Sequence, residues 1–246
     1  MTTATPHRAL ICKGCWQQLH VPVPLRGPWS MPFRMVGLRP SRMNPNTYTL
    51  CELMFTRVMR ARNIALEATV LFADLRGFTA MSRESSSEEV SRLLDTFYDE
   101  CAAAIWEHDG LLNKTIGDAV MAIFNFPIHQ DDHAAQALHA ARAIQQRYRA
   151  LKAAAPRGSN QAARMEIGIG IDSGTVRFGE FGHAVRELTA IGTVVNTAAR
   201  AQAAAAPGEI LITRAARNRI GPLLDEPTPR TYALKGFSQP VELFAA

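Results

Sequence analysis

Two apolar runs end on, or turn about, an aspartate, and together they limit what this chain can fold into. Ala68-Thr-Val-Leu-Phe-Ala-Asp74 and Lys114-Thr-Ile-Gly-Asp118-Ala-Val-Met-Ala-Ile-Phe124 read as apolar, strand-like runs too hydrophobic to hold an unpaired charge. Burying an ionised carboxylate is costly unless a cation or hydrogen-bond donors compensate it. Asp74 and Asp118 at strand ends, with glycine or small residues beside them, suggest a shared metal site for phosphate chemistry.

The flanking pattern predicts an α+β fold. Ser86 and Glu89 form a capping box ahead of a helix running to Glu107, with Val90, Leu93, Leu94, Phe97, Cys101 and Ile105 as its apolar stripe. An alanine-rich helix is expected from about Asp132 to Ala155, stopped by Pro156. Met165–Asp172 alternates as a strand, Thr193–Ala205 reads as a helix and Glu209–Thr213 as a strand, with short strands near Tyr232–Leu234 and Val241–Phe244. The order β-α-β-β-α-β fits a ferredoxin-like core with C-terminal additions.

Charge divides the chain. Residues 1–66 carry nine Lys/Arg and one Glu, whereas the remainder carries 18 basic and 21 acidic residues. Residues 1–48 also hold half of the 14 prolines and read as irregular. Leu50, Leu53, Met54 and Val58, with Arg57, Arg60 and Arg62 nearby, predict a short amphipathic helix. The expected division is a basic, Pro-rich segment over 1–65 and a catalytic body over 66–246. The basic segment is open to two readings: binding to nucleic acid, an acidic partner or an anionic membrane surface, and folding against the acidic body. No apolar run is long enough to span a bilayer and no signal-peptide core is present. The four unevenly spaced cysteines, at 12, 15, 51 and 101, make no disulfide framework, so a reducing cytoplasm is expected.

The candidate site extends outward from the aspartates. Leu75, Gly77, Phe78 and Thr79 form a turn leading to a helix, whose N–H groups suit phosphate oxygens. Lys114 lies four residues before Asp118. Asn196 and Arg200, at i and i+4, share a helix face; any such pair in isolation reads as a solvated polar face. Thr189 in isolation reads as a strand residue.

The ordered set Val70-Leu-Phe-Ala-Asp-Leu-Arg-Gly-Phe-Thr79, Lys114-Thr-Ile-Gly-Asp118 and Thr189-Ala-Ile-Gly-Thr-Val-Val-Asn-Thr-Ala-Ala-Arg200 resembles class III nucleotidyl cyclases over roughly residues 66–246. The resemblance implies conversion of ATP to cyclic AMP and pyrophosphate. It implies two Mg²⁺ or Mn²⁺ ions on Asp74 and Asp118, an adenine-selecting pair in Lys114 and Thr189, and transition-state residues in Asn196 and Arg200. Lys235, in Ala-Leu-Lys-Gly, is similar to a lysine that contacts the terminal phosphates. Thr189 marks a subgroup, since many relatives carry Asp there. The resemblance also implies a homodimer whose sites take metal residues from one subunit and the base and transition-state residues from the other. The alternatives are a guanylate cyclase and a non-catalytic cyclase-like binding module.

Cys12-Lys-Gly-Cys15 has the spacing of half a zinc knuckle, and Cys51 supplies a third thiolate. Some relatives carry a second Cys-x-x-Cys just before the cyclase domain; here Tyr48 stands three residues before Cys51. A second metal site holding Zn²⁺ on Cys12, Cys15 and Cys51, with His20, water or a partner chain as fourth ligand, is one reading, and free thiols are the other. His129-Gln-Asp-Asp-His133 falls where a helix begins and is read as helix-start chemistry, with Asp132 as N-cap. Cys101 is read as core packing.

Overall fold

The computed structural model describes residues 9–52, 63–154, 165–182, 184, 186–224 and 228–246. In chain order, helices α1 (Lys13–Leu19) and α2 (Met31–Met35) precede strand β1 (Asn63–Arg76). Helices α3 (Phe78–Glu84) and α4 (Ser87–Glu107), strands β2 (Leu111–Ile116) and β3 (Ala119–Phe124), and helix α5 (His133–Ala154) follow. Then come β4 (Glu166–Phe181), β5 (Glu187–Ile191), α6 (Thr193–Ala204), β6 (Ile210–Thr213), α7 (Arg214–Ile220), β7 (Arg230–Tyr232) and β8 (Val241–Ala245).

The spine is an antiparallel ladder in which all of β1 pairs with β4, from Asn63 opposite Gly179 to Arg76 opposite Glu166. Residues 68–73 are buried without a break because the sheet is covered on both faces. Successive side chains point to opposite faces. Leu71, Ala73 and Leu75 pack with Phe97, Ile105, Leu138 and Ile144 of α4 and α5, while Ala68, Val70 and Phe72 join a second core with Met121, Ile123, Phe178 and Ala198. The same alternation assigns Asp74 to the second face.

The sheet order is β2-β3-β1-β4-β6-β8-β7, with β5 folding back on β4. Its first four strands, with α4 and α5, make the expected ferredoxin-like βαββαβ core, and the remainder extends it. The capping box forms as expected: Ser86 Oγ accepts from Glu89 N–H at 3.3 Å, and Glu89 Oε2 accepts from Ser86 N–H at 3.0 Å.

Helix α6 lies close on β4 because the strand carries Gly170. A Cβ there would sit 2.1 Å from Gln202 N and 2.3 Å from Ala198 O, both backbone atoms of the helix. Small residues on both sides therefore set how near α6 comes to the strands that bear Asp74.

Two expectations need correction. The segment read as irregular over 1–48 contains α1, α2 and a small core of Cys12, Cys15, Leu25, Tyr48 and Cys51. Its order comes from non-local backbone bonds, Cys12 N–H to Val23 O at 2.9 Å and Ser41 N–H to Thr47 O at 2.8 Å, which leave no periodicity in the sequence. Helix α7 was not expected; Thr213 Oγ1 caps it by accepting from Ala216 N–H at 3.2 Å. Residues 49–52 are helical, while Leu53, Met54 and Val58 of the expected amphipathic helix lie outside the described residues, as does the proline expected to stop α5. No described helix is long and apolar enough to cross a membrane.

Gly170→Ala should destabilise the chain by about 1–3 kcal/mol or more, because the added methyl meets helix backbone that cannot step aside. Chemical denaturation of the two chains measures this, and an equal or higher midpoint for the variant would contradict the close helix–strand contact.

Candidate active site

Asp74 is the last-but-two residue of β1 and stands opposite Ala119 of β3 and Gly168 of β4, so no long neighbour covers its carboxylate. The β2–β3 turn is drawn to the same place by Leu75 N–H, which donates to Asp118 O at 3.1 Å. Gly117 makes that turn with φ of +60°, a left-handed value that glycine adopts freely. Tyr98 steadies it through a hydroxyl hydrogen bond to Gly117 O.

Burial pushes the Asp74 carboxyl up to about 6; the Asp118 charge acts in the same direction and Arg76 opposes both. Arg76 Nη1 lies 3.4 Å from Asp74 Oδ1, and Nη2 donates to Gln202 O on α6. Gly168 makes room for this arginine, since a Cβ there would lie 2.1 Å from Arg76 Nε. That Nε is buried with no hydrogen-bond partner. The all-oxygen donor set, held against mutual repulsion and only partly neutralised by Arg76, fits a hard divalent cation such as Mg²⁺ or Mn²⁺.

The turn after Asp74 divides. The Leu75 side chain is in the core and its N–H is committed to Asp118 O. Gly77, with φ of +82°, Phe78 and Thr79 lie at the start of α3, with Gly77 and Thr79 exposed.

A second group forms where β5 meets β2. A register shift between Leu112 and Lys114 accompanies the burial of Asn113. Thr189 Oγ1 donates to Asn113 Oδ1 at 2.7 Å, and Asn113 Nδ2 donates to Leu188 O at 2.9 Å. Lys114 Nζ donates to Glu187 Oε1 at 2.7 Å. Lys114 and Thr189, 75 residues apart in sequence, thus share one locus.

Helix α6 presents two faces. Thr197, Ala198, Ala201 and Gln202 are buried, whereas Asn196 and Arg200 are exposed. Residue 200 is two steps from 198, a turn of about 200° round the helix. Arg200 therefore points away from the sheet, and the α6 residue beside Asp74 and Arg76 is Gln202. The structure joins Asp74 with Asp118, Lys114 with Thr189, and Asn196 with Arg200. It does not join Arg200 to the aspartates of its own chain. Lys235 is exposed in the β7–β8 connection, four strands from β1 in the sheet order.

The His129–His133 stretch is not a ligand cluster. His133 Nδ1 is bonded to Thr69 Oγ1 at 2.7 Å, His129 pairs with exposed Asp131, and Asp132 Oδ2 accepts from Gln136 Nε2 at 2.7 Å. Sequence reasoning missed Arg76, Asn113 and Glu187. Each sits one or two residues from a residue it did single out, and the opposite charges of Glu187 and Lys114 were the available signal.

The chain belongs to the adenylate and guanylate cyclase catalytic domain family, whose model matches residues 62–231. It is 38% identical to an adenylate cyclase of Anabaena cylindrica over 135 residues, which is 54% of this chain and 26% of that protein. Adenylate cyclase 1 of Rhizobium meliloti is 33% identical over 135 residues, 54% of this chain and 20% of its own length, so the chain spans about a quarter or less of either relative. Among solved structures, the adenylyl cyclase CyaB from P. aeruginosa superposes with a TM-score of 0.66 and 31% identity, covering 75% of this chain and 95% of that one. The guanylyl cyclase Cya2 gives 0.68 and 27%, covering 75% and 93%.

Asp74 also predicts a pH dependence. An unfolded aspartate titrates near 3.9, so between about pH 4 and 6 the folded chain retains a proton that the unfolded chain has lost. Stability therefore falls as pH rises through that window, and above it the metal-free fold carries the whole cost of the ionised group. After discounting for partial exposure, Asp74→Asn should be more stable than the parent by about 1 kcal/mol near pH 7 in chelator. The gap should close near pH 4. Denaturation at both pH values measures it, and a variant less stable at neutral pH would contradict the buried charge.

Proposed function

We propose that this chain is an adenylate cyclase that converts ATP to 3′,5′-cyclic AMP and pyrophosphate in intracellular signalling. The observation that carries the choice of base is the Thr189–Asn113 hydrogen bond. With its proton donated to Asn113, the Thr189 hydroxyl oxygen is left as an acceptor beside Lys114, which is a donor. Adenine presents the complement, an acceptor at N1 and an amino donor at N6. Guanine presents a carbonyl and a ring N–H in the reverse sense.

Two Mg²⁺ or Mn²⁺ ions held by Asp74 and Asp118 would supply Lewis acidity at the triphosphate and a lowered pKa for the ribose 3′-hydroxyl. In the reaction the 3′-oxygen forms a bond to the α-phosphorus, the bond from that phosphorus to the bridging oxygen breaks, and pyrophosphate leaves. Arg200 donates hydrogen bonds where charge grows on the phosphoryl oxygens, and Asn196 orients the ribose. Gly77, Phe78 and Thr79 receive phosphate oxygens at the start of α3, and Lys235 meets the terminal phosphates. Removing the Arg200 guanidinium should cost about 10²–10³-fold in kcat.

The outward face of Asn196 and Arg200 supports a composite site in a homodimer, each half completed by the partner's α6. Exposed Ile116 and Ile191, close in sequence to Lys114 and Thr189, fit an apolar contact at such an interface. Asp74→Ala and Arg200→Ala chains, each strongly impaired alone, should regain activity when mixed, through one intact site per heterodimer. No recovery from a verified heterodimer would argue against this arrangement.

GTP is the second reading, favoured by one observation. Glu187 places a carboxylate on Lys114, an acceptor that would suit guanine N1–H. Parallel assays with ATP and GTP, with Mg²⁺ and with Mn²⁺, decide between them; we expect kcat/KM to favour ATP by more than about tenfold. A preference for GTP would transfer the role to Glu187. No product from either nucleotide would favour a non-catalytic module.

A further inference from the structure

The N-terminal segment holds a second cluster that the cyclase chemistry does not use. Cys12, Cys15 and Cys51 are all buried, and their sulfurs lie within 4.8 Å of one another. Cys51 Sγ is 3.4 Å from both Cys12 Sγ and Cys15 Sγ. Residues 39 and 36 positions away in sequence have thus been gathered onto one point. Gly14 permits the approach, since a Cβ there would lie 3.0 Å from Cys51 Sγ and 3.1 Å from Cys51 Cβ.

Two backbone N–H groups, from Cys15 and from Tyr48, donate to Cys12 Sγ at 3.4 Å each. Amide hydrogens aimed at sulfur stabilise a thiolate rather than a thiol. Tyr48 adds no ligand of its own; its hydroxyl is committed to Pro24 O at 2.5 Å. Exposed His20 stands outside the cluster, and no further His, Asp or Glu among the described residues joins it.

We propose that these three cysteines bind one zinc ion as thiolates, with a solvent-derived fourth ligand. A tetrahedral ion with Zn–S of about 2.3 Å requires sulfur–sulfur edges of about 3.8 Å. The two sulfur–sulfur distances of 3.4 Å are slightly shorter than that edge, so a small outward shift of the side chains admits the ion. The sulfurs are too close to surround an iron–sulfur core. Three thiols also cannot all be satisfied by a disulfide. Binding forms three Zn–S bonds, displaces water from the ion and releases to solvent whatever protons the three sulfurs still carry.

The site fixes a segment that braces the catalytic body. Lys13, next to Cys12, pairs with Asp109 at 2.6 Å. Asn44 Nδ2 donates to Gly110 O at 3.0 Å, and Met43 O accepts from Leu112 N–H at 2.8 Å and from Trp106 Nε1 at 2.7 Å. These contacts hold the start of β2, two residues before Lys114.

The test uses the full chain purified in reductant. About one zinc per chain should be retained, and it should survive the double substitution Asp74→Asn with Asp118→Asn, which separates this site from the carboxylate pair. A mercurial thiol reagent should release zinc in step with thiol modification. Cobalt(II) exchanged into the wild-type chain should give thiolate-to-cobalt charge-transfer bands with the visible bands of a four-coordinate ion. Cys51→Ser should weaken zinc binding by more than about 100-fold, beyond the usual effect of losing an outer-shell partner. The wild-type measurements stand even if that variant fails to fold. A folded, fully reduced chain that shows neither retained zinc nor cobalt–thiolate bands would overturn the proposal, as would retention of copper(I) in place of zinc.

Discussion

The β1–β4 ladder is the constraint on which the rest depends. Its fourteen-residue register fixes Asp74 opposite Gly168 and Phe72 opposite Gly170. Those glycines leave space on one face of the sheet, where α6 settles at Gly170 and the Arg76 side chain at Gly168. A register slip of one residue would turn Asp74 to the face packed by α4 and α5 and send Ala73 or Leu75 to the site. The extensive apolar burial on both faces makes that slip prohibitive.

That ladder also explains how a carboxylate is kept at the end of an apolar strand. The fold holds Asp74 near Asp118 and admits only partial neutralisation by Arg76 at 3.4 Å. A closer ion pair would make a more comfortable metal-free protein and a poorer cation site. Electrostatic strain of this kind is common at functional sites, where stability gives way to chemistry.

The catalytic body was largely legible because its signals are local or strictly periodic. The capping box at Ser86 and Glu89, the stripe on α4 and the two Asp-bearing strands each declare themselves within a short window. The N-terminal segment was not legible, because its order comes from contacts such as Asn44 to Gly110 that cross 66 residues and leave no periodic trace. Within the site, Lys114 and Thr189 were visible as types at positions, but Asn113 was not. Its role depends on the register shift beside Leu112, a tertiary feature that no propensity encodes. The commitment of the Leu75 N–H to the β2–β3 turn was not legible either, because sequence cannot say which of several amides has already been taken.

Helix α6 ties these threads together. Its inner face lies with the backbone of Ala198 and Gln202 directly on Gly170, and Gln202 O receives Arg76. Its outer face carries Asn196 and Arg200. A helix cannot turn both faces to one sheet, so the packing that positions Asp74 also points Arg200 away from it. On the cyclase reading, a monomer therefore holds every required group but cannot bring them all to one phosphate. On that proposed reading, association of two chains is part of the catalytic geometry.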